Sequence, residues 1–318
     1  MPLPRFQLFE LEDLPWFPSA IRDLATDYLH FIERRFHLHK PVVRLLRRAL
    51  EQSTLARVVD LCSGGGGPVL AVYEDLLADG VAAQFTLTDN YPNLTAFRRL
   101  ARLHPSGIAY VSDSVDAAKV PQELRGFRTM FNSFHHFGPA AGRDVLQCAV
   151  EARQPIGIFE IPERSLATMI PLLFTPLFVA VATPFIRPFL WRRLLWTYAL
   201  PLVPLTCWWD GLVSQFRAYT IAELNGLTRG LAANDWQADR IPIGQRLGIS
   251  RTYWESRRDP PSKLVAGSHS QYAGTNSSYP APRLPLILTT ERFAASWRRS
   301  LNVPDSKRRS RKCASHYY

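Results

Sequence analysis

The chain has 318 residues, a formal net charge of +11 and a hydrophobic fraction of 47%, enough for a sizeable core, which excludes a wholly disordered protein. Cys62, Cys148, Cys207 and Cys313 are scattered without a C-x-x-C pair, so neither a disulfide framework nor a zinc site is indicated. The charge is mostly local: residues 257–318 carry twelve Lys/Arg and three acids, a tail of +9 that leaves the rest near +2. The tail is rich in Ser, Pro and Gly and is expected to be largely disordered, with Lys307-Arg-Arg-Ser-Arg-Lys312 a solvated run and no specific nucleic-acid partner.

In chain order, residues 13–37 predict a helix with Ile21, Leu24, Tyr28, Phe31 and Ile32 on one face. Pro41 opens a second helix to about Glu51. Arg57-Val-Val-Asp-Leu-Cys-Ser-Gly-Gly-Gly-Gly67 then reads as a buried strand, 57–61, that ends in an acid and runs into a tight turn. Glycine suits a backbone that must take φ > 0 or let a ligand approach closely. Pro68 suits the first turn of the helix 68–78. Further strands are expected at 84–88, about 108–111, 127–131 and 156–160, with helices from Pro92 to Leu103 and over 140–153. Strands alternating with helices predict a doubly wound parallel sheet, whose ligands sit beyond the carboxyl ends of the strands. Asp60, Asp89, Asp113, Asn132 and Glu160 all fall at that edge.

The glycine turn does not complete the dinucleotide fingerprint, since Val69 stands where its third glycine belongs, and it lacks the Gly-Lys-Ser/Thr of a P-loop. It resembles motif I of the class I S-adenosylmethionine (SAM)-dependent methyltransferases, D-x-G-x-G-x-G, with Asp60, Gly64 and Gly66 on the pattern and Cys62 in place of the first glycine. Two further markers are Phe85-Thr-Leu-Thr-Asp89, whose acid would take the ribose hydroxyls, and Ala109-Tyr-Val-Ser-Asp113, where family members contact adenine. The resemblance implies SAM as cofactor. It implies Asp60, Cys62, Gly64, Gly66, Asp89, Asn90, Asp113, Ser114 and Asn132 as the residues around it. It also implies a seven-stranded, mostly parallel α/β sheet with a last antiparallel pair at 236–242 and 249–254.

In Asn132-Ser-Phe-His-His-Phe-Gly138 the family's loop faces the transferred methyl group, so His135 and His136 are candidate general bases, and Asn132 or Ser133 a substrate guide. No metal is expected, because adjacent histidines point in different directions and no further ligands stand nearby in sequence. Glu160 is expected to pair with Arg164 or to face the substrate.

Residues 166–186 form a run of 21 without a charge, and 194–209 a second uncharged run. The first is long enough to cross a bilayer, but Pro171, Pro176, Pro184, Pro188, Pro201 and Pro204 interrupt it and its successor. Arg187, Arg192 and Arg193 would lie at the wrong end for a spanning hairpin, while they and Trp191, Trp196, Tyr198, Trp208 and Trp209 suit an interface with anionic headgroups. The segment is read as an insertion between strands five and six that caps an apolar pocket or dips into one leaflet. Asp210-Gly211 is expected to break the run, with Asp210, Arg217 and Tyr219 lining the substrate side or pairing together. A helix, 221–233, follows behind Thr220 and Glu223.

The resulting organisation is an N-terminal helical segment (1–54), a cofactor-binding core (55–162), a hydrophobic insertion (163–209), the C-terminal part of the core (210–256) and the basic tail (257–318). The expected activity is methyl transfer to a small, hydrophobic or lipid-like acceptor. No secretory signal is visible at the N-terminus, and a cytoplasmic protein, peripheral at the inner membrane face, is expected. The alternatives are a catalytically silent membrane-associated binding module and a nicotinamide-dependent oxidoreductase.

Overall fold

The computed structural model describes residues 4–51, 56–231, 236–243 and 249–256, the last two stretches by backbone alone. The tail 257–318 read as disordered lies outside the described residues, as do positions 232 and 233 of the helix expected over 221–233, which ends at Thr228, Arg229 leaving the helical conformation at ψ 126.

Five parallel strands, β1 (Arg57–Asp60), β2 (Gln84–Leu87), β3 (Ile108–Tyr110), β4 (Phe127–Phe131) and β5 (Ile156–Glu160), form the sheet. β6 (Trp236–Ile243) and β7 (Ile249–Ser256) join antiparallel on the β5 side, giving the order β3-β2-β1-β4-β5-β7-β6. The order reverses between β1 and β4, which is where open α/β sheets bind ligands.

Side chains alternate across each strand. Val58, Phe85, Phe127 and Phe131 pack under α2 (Lys40–Glu51), α3 (Gly67–Ala78) and α4 (Leu94–Leu103). Val59, Met130, Ile156 and Ile158 pack on the opposite face against α5 (Pro139–Glu151) and α10 (Ile221–Thr228). A third apolar cluster lies off the sheet. In it Ile21, Leu24, Ala25 and Tyr28 of α1 (Ser19–Arg35) meet Val179 and Ala182 of α7 (Thr175–Ala182) and Val203 and Cys207 of α9 (Leu202–Arg217).

Local chemistry moved several expected boundaries. Pro18, at φ −61 and ψ 122, holds the chain extended, so α1 begins at Ser19 rather than near 13. It ends before His37, whose φ of 52 is left-handed. α4 starts at Leu94, not at Pro92, because the Asn93 side chain accepts from Ala96 N at 3.0 Å. The capping box expected before α10 is present: Glu223 N donates to Thr220 Oγ1 at 3.2 Å, and Thr220 N to Glu223 Oε2 at 2.8 Å.

Between β5 and α10 the chain forms α6 (Leu166–Leu172), α7, a short α8 (Trp191–Leu194) and α9. The expected break at Asp210-Gly211 does not occur, since α9 runs through both residues. The Asp210 carboxylate is turned toward Leu11 N and Glu12 N, at 2.6 and 3.2 Å. Gly211 lies against α6, where a Cβ would meet Leu172 at 3.4 Å. No single helix among the described residues is long and apolar enough to cross a membrane. Leu166–Leu172 and Thr175–Phe185 pass that test only as a pair bent by 52°.

Candidate functional site

The turn after β1 is built from its acid. Asp60 is 1% exposed, and its carboxylate accepts from Ser63 Oγ at 2.7 Å and Thr129 Oγ1 at 2.6 Å. Its carbonyl accepts from Thr88 Oγ1 at 2.8 Å. Asp60 therefore ties β1, β2 and β4 together behind the turn. Desolvation pushes its carboxyl up to about 7 despite the Ser63 and Thr129 hydrogen bonds.

Cys62, Gly64 and Gly66 all take left-handed φ, at 57, 51 and 70. The first glycine of the resembled motif is thus replaced by a cysteine that keeps the glycine backbone. Burial pushes the Cys62 thiol up, away from the reactive thiolate. The remaining glycines answer to packing. A Cβ on Gly67 would fall within 1.9 Å of the His30 ring, so α1 lies directly on the turn. A Cβ on Gly64 would meet nothing within 4 Å, which leaves that side of the turn open.

Asp89 lies two residues beyond β2. Its Oδ2 accepts from Gly64 N at 2.8 Å and its Oδ1 from Tyr91 N at 2.8 Å. The acid and the glycine turn are thus one assembly. Asn90 and Ser114 join across the neighbouring loop, Ser114 Oγ donating to the Asn90 carbonyl at 2.8 Å, with Asp113 exposed beside them. Asn132 follows β4 at φ 49, donates to Glu33 of α1 at 2.9 Å and accepts from Ile161 N at 2.9 Å. The neighbouring Ser133 hydroxyl is buried with no hydrogen-bond partner among the described residues.

The two histidines do not diverge as expected. They share a 3-10 turn, Phe134–His136, with ring centroids 4.4 Å apart. His135 is 3% exposed, its Nδ1 lies 2.5 Å from Glu160 Oε2, and its Nε2 lies 3.7 Å from Glu10 Oε1. His136 Nδ1 lies 3.1 Å from Asp13 and its Nε2 3.6 Å from Glu10 Oε2. Both rings thus face carboxylates, an enclosure that the expected general-base role did not foresee.

Glu160 pairs with His135 rather than with Arg164, and also accepts from Phe134 N at 2.8 Å. Burial opposes its ionisation, but His135 and the Phe134 amide hold it below the ordinary value. Arg164 pairs instead with Glu223. Arg217, 5% exposed, bridges Glu10 at 3.2 Å and Asp13 at 2.8 Å. Burial opposes ionisation of Asp13, yet hydrogen bonds from His136 and Arg217 hold it at about 2. Glu10, 1% exposed, is pushed up to about 7 by burial.

Asp210, Arg217 and Tyr219 were expected to pair together or line a substrate pocket. They instead fasten the N-terminal segment. Asp210 holds the Leu11 and Glu12 amides, Arg217 Nε donates to Leu8 O at 2.6 Å, and Arg5 lies 4.2 Å over the Tyr219 ring. Glu10, Asp13 and Arg5 were not singled out in the sequence. The only local signal is an acidic run, Glu10-Leu-Glu-Asp13, in a basic chain.

No family model matches the chain, and no curated protein does. Among solved structures, a candidate O-methyltransferase from Nostoc punctiforme is similar over 78% of this chain and 71% of its own, at 14% identity and a TM-score of 0.42. The plantazolicin methyltransferase BpumL, solved with SAH, is similar over 76% and 88%, at 10% identity and 0.42. A candidate zinc-dependent alcohol dehydrogenase from Rhodobacter sphaeroides is similar over 66% and 88%, at 15% identity and 0.39. Likenesses of this depth extend across different chemistries and say nothing of the activity, which has to be argued from the residues of this chain.

Proposed function

We propose that the chain is a SAM-dependent methyltransferase of the seven-stranded class I kind, acting on a small apolar acceptor. The observation that carries the reading is the 2.8 Å hydrogen bond from Gly64 N to Asp89. It joins the glycine turn after β1 to the acid after β2, beside the point where the strand order reverses.

The residues fit such a cofactor. Gly64 is open on one side, and each Asp89 oxygen, having accepted one amide, retains a lone pair for a ribose hydroxyl. Asn90, Asp113 and Ser114 form the rim on the β3 side. The unpartnered Ser133 hydroxyl offers a buried donor near the end of β4, and buried polar groups without partners call for an explanation. SAM, when bound, supplies an electrophilic methyl group. The chain supplies proximity and orientation: Asp60 and Ser63 hold the turn rigid, and α1 closes on it through His30.

The apolar acceptor and a peripheral place at the inner face of a membrane are inferred from the outer surface of α6 and α7. Leu166, Ile170, Phe174, Leu177, Val181 and Phe185 recur every three or four residues, and each is more than half exposed. Trp191 and Tyr198 extend this surface, and Arg187 and Arg192 beside them are exposed.

Titration calorimetry with SAM, its demethylated product SAH and NADH in parallel tests the reading. Micromolar binding of the first two and none of the third is expected. Binding of NADH alone would indicate an oxidoreductase, and binding of none the silent module. Asp89→Ala removes a charged acceptor of two hydrogen bonds, so SAM affinity should fall about 10- to 100-fold. Unchanged affinity would remove Asp89 from the site.

A further inference from the structure

We propose that Glu10, His135 and His136 bind one divalent transition-metal ion, best matched by zinc, where the N-terminal segment meets the loop after β4. One donor atom from each residue lies within 4.8 Å of the other two. Both imidazole Nε2 atoms face the same carboxylate, at 3.7 and 3.6 Å from its two oxygens. In a tetrahedral zinc site with bonds of about 2.0–2.2 Å, neighbouring donors stand about 3.4 Å apart. The two imidazole–carboxylate distances lie within a few tenths of an ångström of that value, and the whole donor set spans no more than 4.8 Å.

The other ring nitrogens strengthen the case. His135 Nδ1 is backed by Glu160 at 2.5 Å and His136 Nδ1 by Asp13 at 3.1 Å. A carboxylate behind each imidazole holds the proton on Nδ1 and leaves the Nε2 lone pair pointing at the metal position. The cluster is not a solvated acidic patch, since Glu10 and His135 are 1% and 3% exposed. Two imidazoles and a carboxylate are also a donor set that suits zinc and its neighbours and disfavours calcium and magnesium.

Charge points the same way. Three carboxylates, Glu10, Asp13 and Glu160, surround the two imidazoles, with the Arg217 guanidinium on Glu10 and Asp13 and the Arg5 guanidinium on the His135 and Phe137 carbonyls. With neutral imidazoles the three carboxylates outnumber the two guanidiniums, so a cation is the complementary occupant. Arg217 Nη1 also lies 3.1 Å from His136 Nδ1, and with the ion bound it would rest on Asp13 Oδ2, at 2.8 Å, instead. The competing occupant is two protons, one on each imidazole. A bound ion would act as a clasp, pinning residues 10–13 to the 134–136 turn. Nothing in this inference depends on the methyl-transfer reading, and SAM binding is measured separately.

The experiment uses the full chain, stripped with a chelator and titrated with Zn2+ by calorimetry and with Co2+ by visible absorption. One ion per chain, a tetrahedral Co2+ spectrum and a raised melting temperature are expected. Asp13→Asn should weaken Zn2+ binding about 10-fold or more. His136→Gln, at the more exposed ring, should weaken it further, with circular dichroism confirming that the variant folds. Absence of stoichiometric binding would overturn the proposal in favour of the protonated pair. Binding undiminished in His136→Gln would also overturn it and assign the ion to other ligands, such as His269, Cys313 or His316.

Discussion

Arg193 shows how far a single residue departs from its apparent role. Its sequence setting, beside Arg192 and among aromatics, suggests a contact with anionic headgroups. The side chain is instead 2% exposed, bonded to Asp27 of α1 at 2.6 Å and to the carbonyls of Ile186 and Pro188 at 3.0 and 2.9 Å. Arg193→Ala should therefore destabilise by about 2–3 kcal/mol, the loss of a buried donor with three acceptors. Lysine should not rescue it, because an ammonium lacks the planar fork. Urea titration checks both, and a change within about 0.5 kcal/mol would place Arg193 on the surface after all. In the glycine turn, Gly66→Ala puts a Cβ 2.3 Å from Leu100 at a left-handed φ, which should cost about 1–3 kcal/mol and remove SAM binding. Cys62→Gly should stay within about 1 kcal/mol of the parent, because relief of the left-handed strain offsets glycine's entropy.

At the scale of elements, α1 is the lid on the glycine turn, and its hold is pH-dependent. Burial, aided by Arg99 and Arg34 and opposed by Asp27, pushes His30 down to about 4 from an ordinary 6.5. The folded state thus favours neutral His30. Its contribution is complete above pH 6.5 and is lost as pH falls through about 4. Glu10, Asp60 and Asp210, each raised to about 7, act oppositely, favouring the fold at low pH and losing that contribution as pH rises through 7. Comparison with His30→Gln isolates the histidine. Between pH 4 and 6.5 the parent should gain stability relative to the variant, and parallel profiles would remove His30 from the account.

Over the whole molecule, the N-terminal segment, α1 and α6–α9 form a second layer with its own apolar cluster, fastened to the sheet where Glu10 meets His135 and His135 meets Glu160 of β5. All described residues belong to one compact unit. The outer face of that layer should bind anionic vesicles. Phe174→Asp with Leu177→Asp removes two exposed apolar side chains, at 54% and 59%, and should lower co-sedimentation about 10-fold or more. Unchanged partitioning would mean that the surface serves something other than lipid.

The five parallel strands were legible in the sequence because short β-branched and aromatic runs followed by acids or Asn132, separated by helical periodicity, have few other solutions. The glycine turn and the Thr220 cap were legible for the same local reason, since a left-handed backbone and an exposed helix end each demand particular residues. Tertiary structure alone decided where the charges went. Glu10 meets His135 across some 125 positions, Arg193 meets Asp27 across 166, and Asp210 meets Leu11 across 199. Burial of a charge depends on which distant partner the fold delivers to it, and no local pattern records that delivery.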